Sequence, residues 1–69
     1  MGILKINGRQ RQFPDGVPKT VTQLLEHLNI KAATIVAEID GQILDRNLFA
    51  ETELQDGQEI ELVRFVGGG

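Results

Sequence analysis

The residues of this chain that could do chemistry are few, and they sit at its end. It closes on Val66-Gly67-Gly68-Gly69. Three consecutive glycines have no side chain to bury, explore backbone regions closed to other residues, and let the main chain pass through gaps that a Cβ would block. The reactive group such a run presents is the terminal carboxylate of Gly69. Fully extended, residues 67–69 reach roughly 10 Å beyond the body of the protein, far enough to carry that carboxylate into another protein's active site. Taken alone, the run fits equally well with an inert terminus, since chain ends frequently have no role.

Elsewhere the sequence offers little for catalysis. It has no cysteine, which excludes disulfides, thiolate metal sites and a nucleophilic thiol. Its single histidine, His27, stands beside Glu26 with no second histidine to complete a metal site, and reads as a surface residue without a role. The net charge is −3 and the pI is near 4.9. That balance argues against nucleic-acid binding, which needs clustered Lys and Arg to displace counterions. Arg9 and Arg11 share one face of a strand and read as a solvated surface. No apolar run approaches the roughly 20 residues that span a bilayer. The opening Met1-Gly2 lacks a signal-peptide layout, and its likeness to a myristoylation signal fails at Asn7. A soluble cytoplasmic chain with no membrane partner is the expectation.

The elements that must position the terminus follow from periodicity and turn chemistry. With 69 residues and 41% hydrophobic content, mostly aliphatic, the chain is one small domain that depends on packing for stability. Ile3 to Ile6 read as a strand, and Asn7-Gly8 as a tight hairpin turn whose central positions need positive φ. Arg9 to Phe13 return as an outer strand. Pro14-Asp15-Gly16-Val17-Pro18 ends it. Thr20 caps a helix of about two and a half turns, with Gln23 completing a capping box and Val21, Leu24, Leu25 and Leu28 forming one apolar stripe. Asn29 terminates it.

Thr34 to Ile39 then read as a strand, Asp40-Gly41 as a second hairpin turn, and Gln42 to Leu44 as its return. Asp45 to Glu51 form a short helical turn with Leu48 and Phe49 directed inward, and Leu54 pins the following loop. Asp56-Gly57 turns the chain into a last strand over Gln58 to Phe65. Ile60 and Leu62 share one face of it and Glu59, Glu61, Val63 and Phe65 the other. Phe65 is open at this stage between a docking surface and the core. The ordered set predicts an α+β fold of the β-grasp kind, a small mixed sheet with one main helix on one face and a short second helical turn. First and last strands pair in parallel at its centre. The domain covers residues 1–66 and a flexible glycine tail covers 67–69.

That set, together with the Thr-Val-x-x-Leu-Leu helix start at Thr20 to Leu25 and the ending Val63-Arg64-Phe65-Val66-Gly67-Gly68-Gly69, resembles the thiamine-pathway sulfur carrier family, ThiS, over the whole chain. The family's minimal signature is a terminal Gly-Gly, carried by Gly68 and Gly69; Gly67 is additional. The resemblance implies a ubiquitin-related β-grasp fold and a carrier mechanism with no catalytic residues of the chain's own. A ubiquitin-activating-type adenylyltransferase would use ATP and Mg²⁺ to convert the Gly69 carboxylate to an acyl-adenylate. Persulfide sulfur, ultimately from a cysteine desulfurase, would replace AMP and leave a thiocarboxylate, and thiazole synthase would take the sulfur. The chain itself would bind no cofactor, insert Gly67, Gly68 and Gly69 into its partners, dock through Val63, Phe65 and Val66, and be a monomer when free. Three other readings fit the same tail: the small subunit of molybdopterin synthase, a ubiquitin-like protein modifier, and a β-grasp interaction module with an inert end.

Overall fold

The computed structural model describes residues 1–65. Strands β1 (Gly2–Ile6) and β2 (Arg9–Phe13) are followed by helix α1 (Val21–His27), a 3-10 turn at Ala32–Thr34, strands β3 (Ile35–Ile39) and β4 (Gln42–Leu44), a second 3-10 turn at Arg46–Leu48, and strand β5 (Glu59–Arg64). They form one five-stranded sheet in the order β2-β1-β5-β3-β4. β1 and β5 run parallel, with Ile6 beside Ile60; the other neighbours are antiparallel. One helix crossing one face of such a sheet, with first and last strands parallel in its interior, is the β-grasp arrangement expected from the sequence.

Alternation along the strands sorts side chains into a covered face and an open one. Leu4, Ile35, Ala37, Ile60 and Leu62 join Phe13 under Val21, Leu24 and Leu25 of α1, and Phe49 and Leu54 close the far side of this core. Leu28 packs against it from the end of the helix, so the predicted apolar stripe is the buried one.

α1 spans 7 residues, about two turns where its periodicity suggests about two and a half, and bonds at both ends define its limits. At the start the Thr20 hydroxyl accepts from the Gln23 amide at 3.2 Å, and the Gln23 side chain accepts from the Lys19 amide at 3.0 Å. The reciprocal bond of the capping box thus reaches one residue further back, beside the Thr20–Glu53 bridge, whose hydrogen bonds run from the Val21 amide to the Thr52 carbonyl and from the Leu54 amide to the Lys19 carbonyl. At the end Asn29 takes a φ of 60°. Its amide donates to the Glu26 carbonyl at 3.1 Å, and the Ile30 amide donates to the Leu25 carbonyl at 2.9 Å. This pair of bonds is the Schellman closure that satisfies the last helical carbonyls.

Two local expectations need correction. Thr34 does not open β3: its hydroxyl donates to the Lys31 carbonyl at 2.7 Å, closing the Ala32–Thr34 turn, so a side-chain bond to nearby backbone outweighs β propensity. Leu48 does not tuck inward with Phe49. Phe49 is 3% exposed and Leu48 is 45% exposed. Successive residues of a 3-10 turn lie about 120° apart, and here the side turned to the core carries Phe49 while Leu48 points to solvent.

Gly2 has a packing role that the sequence does not advertise. A Cβ there would lie 2.7 Å from Val17 Cγ1 and 2.9 Å from the Val17 backbone nitrogen. The second contact is with main chain, which cannot swing aside. Gly2→Ala is therefore expected to destabilise the fold by about 1–3 kcal/mol, read as a lower midpoint in urea with an unchanged slope; a midpoint equal to wild type would show that the loop after β2 yields freely.

Candidate functional site

β5 delivers the chain end. Ile60 is fully buried and Leu62 is 8% exposed on the covered face, while Val63 and Phe65 are 49% and 42% exposed on the other. Phe65 lies outside the buried core, which decides the location the sequence left open. Val36 stands directly across from Val63, and it is exposed too. Glu38 pairs with Glu61 on the same face, and Glu59 lies next to Lys5. The end of β5 thus carries a small apolar patch bordered by carboxylates, as the alternation predicts. Exposed apolar groups clustered inside a polar rim suit a docking surface. Val66, Gly67, Gly68 and Gly69, assigned to docking and tail insertion from sequence, lie outside the described residues.

The last strand is held on its β3 edge as far as Phe65 and on its β1 edge as far as Leu62. On the β3 side Ile35 pairs with Arg64, and the Phe65 amide donates to the Thr34 carbonyl at 3.2 Å. On the β1 side the Asn7 amide donates to the Ile60 carbonyl at 2.9 Å, and the Asn7 side chain reaches on to Leu62: the Leu62 amide donates to Asn7 Oδ1 at 2.7 Å, and Asn7 Nδ2 donates to the Leu62 carbonyl at 3.2 Å. Asp40, at the corresponding place in the second hairpin, accepts from the Glu59 amide at 3.1 Å. Asp56 accepts from the Ile3 amide at 2.6 Å. Three of the Asx-Gly turns, at Asn7, Asp40 and Asp56, therefore also tie neighbouring strands together. Sequence reading found the turns through their glycines and missed the ties, whose only signal is that the first residue of each turn is Asn or Asp.

His27 stacks at 59° on the Phe13 ring, centroids 5.3 Å apart, and packs as a surface aromatic. Among the described residues no group of three or more His, Cys, Asp and Glu is placed to hold a metal ion. No helix there is long and apolar enough to cross a membrane. What the described part offers is an exposed apolar patch, Val36, Val63 and Phe65, at the end of its last strand.

The profile of the ThiS family matches residues 4–69, from β1 through the final glycine. The chain belongs to the ThiS family. It is 30% identical over 67 residues to the sulfur carrier protein ThiS of Bacillus subtilis, covering 97% of this chain and 100% of that one. The crystal structure of a thiamine biosynthesis protein (ThiS) from Geobacter metallireducens superimposes with a TM-score of 0.82 at 35% identity, covering 97% of this chain and 99% of that one. A thiazole synthase of Paramagnetospirillum magneticum is 33% identical over 66 residues, 96% of this chain. The chain spans only 20% of that enzyme's length, so a ThiS-like segment is one part of it. In this family member the end of β5 is the point from which the terminal glycines depart.

Proposed function

We propose that this chain is a sulfur carrier of thiamine biosynthesis, acting as a cosubstrate that contributes no catalytic residue. The observation that carries the proposal is the family match running unbroken into the terminal glycines. A carboxylate is a poor electrophile at neutral pH. A partner adenylyltransferase of the ubiquitin-activating type, holding ATP and Mg²⁺, joins the Gly69 carboxylate to AMP with release of pyrophosphate. The outer sulfur of a persulfide, ultimately from a cysteine desulfurase, then attacks the carbonyl and displaces AMP to give an acyl disulfide, whose S–S bond a second thiol of the sulfur-donating partner cleaves, forming a disulfide there and leaving a thiocarboxylate on the carrier. With no cysteine of its own, this chain cannot supply that sulfur and carries it only on Gly69.

Thiazole synthase is the acceptor in this reading, and the ThiS-like segment within one such enzyme supports the pairing, because domains that share a polypeptide commonly work on one another. The carrier acts in the cytoplasm, where ATP and its partners are found, and binds no cofactor itself. Gly67, Gly68 and Gly69 thread the partner's active site while Val63, Phe65 and Val66 rest against its surface.

Intact-mass measurement tests the proposal. Incubated with the adenylyltransferase, ATP, Mg²⁺ and a persulfide donor, the chain is expected to exchange one oxygen for sulfur. Thiazole synthase is expected to consume that sulfur, whereas the large subunit of molybdopterin synthase leaves it in place. A chain that stays unmodified, or that instead forms a conjugate of higher mass, would exclude the carrier role.

The docking face gives a separate expectation. Phe65→Ala removes exposed apolar area without opening the core, so the thermal midpoint is expected to stay near wild type while KM for the carrier in adenylation rises about tenfold, the loss of one anchoring contact worth about 1.4 kcal/mol. A cooperative loss of structure in this variant would return Phe65 to a structural role.

A further inference from the structure

We infer that Asn7 is a positioning residue that fixes the direction in which the chain end leaves β5. This rests on the carrier reading above, in which a partner must seat the terminus.

On its β1 side, β5 outruns its neighbour. The paired register ends at Ile6 and Ile60, and β1 then turns away through Asn7 and Gly8, whose φ values are 51° and 82°. The next peptide groups of β5 that face this side belong to Leu62, which is 8% exposed. A buried N–H and C=O without partners is costly, and β1 has no backbone left to offer. The Asn7 carboxamide stands in for the missing peptide, accepting from the Leu62 amide at 2.7 Å and donating to the Leu62 carbonyl at 3.2 Å. It extends the parallel ladder by one step, three residues before the last described position.

The turn alone does not require this. Glycine would satisfy a φ of 51° at least as well as asparagine, so the side chain's distinct contribution is the pair of bonds to Leu62. A strand end gripped on one edge alone can pivot about that edge; gripped on both, it presents the chain beyond it in one direction. Pre-setting the exit lowers the ordering cost of seating the terminus.

Asp40 supplies an internal control. It also begins an Asx-Gly turn with positive φ, 49°, and also ties its side chain to β5, but at Glu59, the opposite end of that strand. The experiment compares the full-length Asn7→Gly, Asn7→Asp and Asp40→Gly proteins below their melting temperatures. Asn7→Asp keeps an acceptor for the Leu62 amide and sets a carboxylate oxygen against the Leu62 carbonyl.

Asn7→Gly is expected to raise KM for the carrier in adenylation by roughly tenfold to a hundredfold with kcat little changed, and Asn7→Asp by less. Asp40→Gly is expected to lower the melting temperature comparably and leave KM alone. Hydrogen exchange of the Leu62 amide is expected to speed up in Asn7→Gly relative to core amides such as that of Leu24. Equal KM values for Asn7→Gly and Asp40→Gly, or unchanged exchange at Leu62, would overturn the inference. If the wild-type chain is never adenylated the carrier reading fails on its own, and the exchange comparison still decides whether Asn7 holds the strand end.

Discussion

Deleting Gly69 is expected to abolish sulfur loading while leaving the folded domain as stable as wild type. The deletion draws the carboxylate back by roughly 3.5 Å. Misplacing a reacting atom by as little as 1 Å can cost on the order of 10²-fold in rate, so the expected loss in adenylation is at least that large, about 2.7 kcal/mol or more in activation free energy. Stability is expected to be unaffected because, among the described residues, the buried cluster draws on nothing beyond Leu62. Intact mass after incubation with the adenylyltransferase and persulfide donor, set beside a thermal melt, makes the check. A truncated chain that loads sulfur at the wild-type rate would show that Gly68 serves equally well as a terminus.

The second large effect runs the other way, with the terminus intact and its support removed. Ile60 is completely buried and sits at the middle of the sheet, next to Ile6 on β1 and Ile39 on β3. Ile60→Ala loses the transfer free energy of the deleted carbons and leaves a cavity between strands that hydrogen bonding holds apart. The expected cost is about 2–5 kcal/mol. A domain of this size has a total stability of only about 3–10 kcal/mol, so the variant is expected to melt on the order of 10–30 °C lower and to be partly unfolded at growth temperature. Sulfur loading should then fall in proportion to the folded fraction and recover on cooling. A melting temperature within a few degrees of wild type would mean that neighbouring strands close over the missing side chain.

Together these variants separate the proposed chemistry of Gly69 from the scaffold that Ile60 supports. Asn7 and Phe65 are proposed to serve the step between, one by setting the direction of exit and the other by offering surface to a partner.

Much of the scaffold was legible because its signals are local. Asn7-Gly8 and Asp40-Gly41 mark reversals through the positive φ that such turns need. The stripe Val21, Leu24, Leu25 and Leu28 marks a helix with one buried face, and the alternation along β5 separates Ile60 and Leu62 from Val63 and Phe65. Where the reading slipped, a competing local bond or a change of period was responsible: the Thr34 hydroxyl closed a turn where β propensity favoured a strand, and the tight winding at Leu48 and Phe49 turned only one of them inside.

What the sequence by itself determined is the set of groups available: a run of three glycines after Val66, no cysteine, a single histidine and a net charge of −3. These are properties of composition and order, and folding does not alter them. The tertiary structure decided which groups surround the exit. Asn7 meets Leu62 at a sequence separation of 55, and Gly2 meets Val17 across the bend that ends β2. Phe65 joins Val63 and Val36 on an open face because β3 pairs with β5 in one particular register. Contacts of that kind depend on which strands become neighbours and at what offset, and no periodicity within a single segment encodes that.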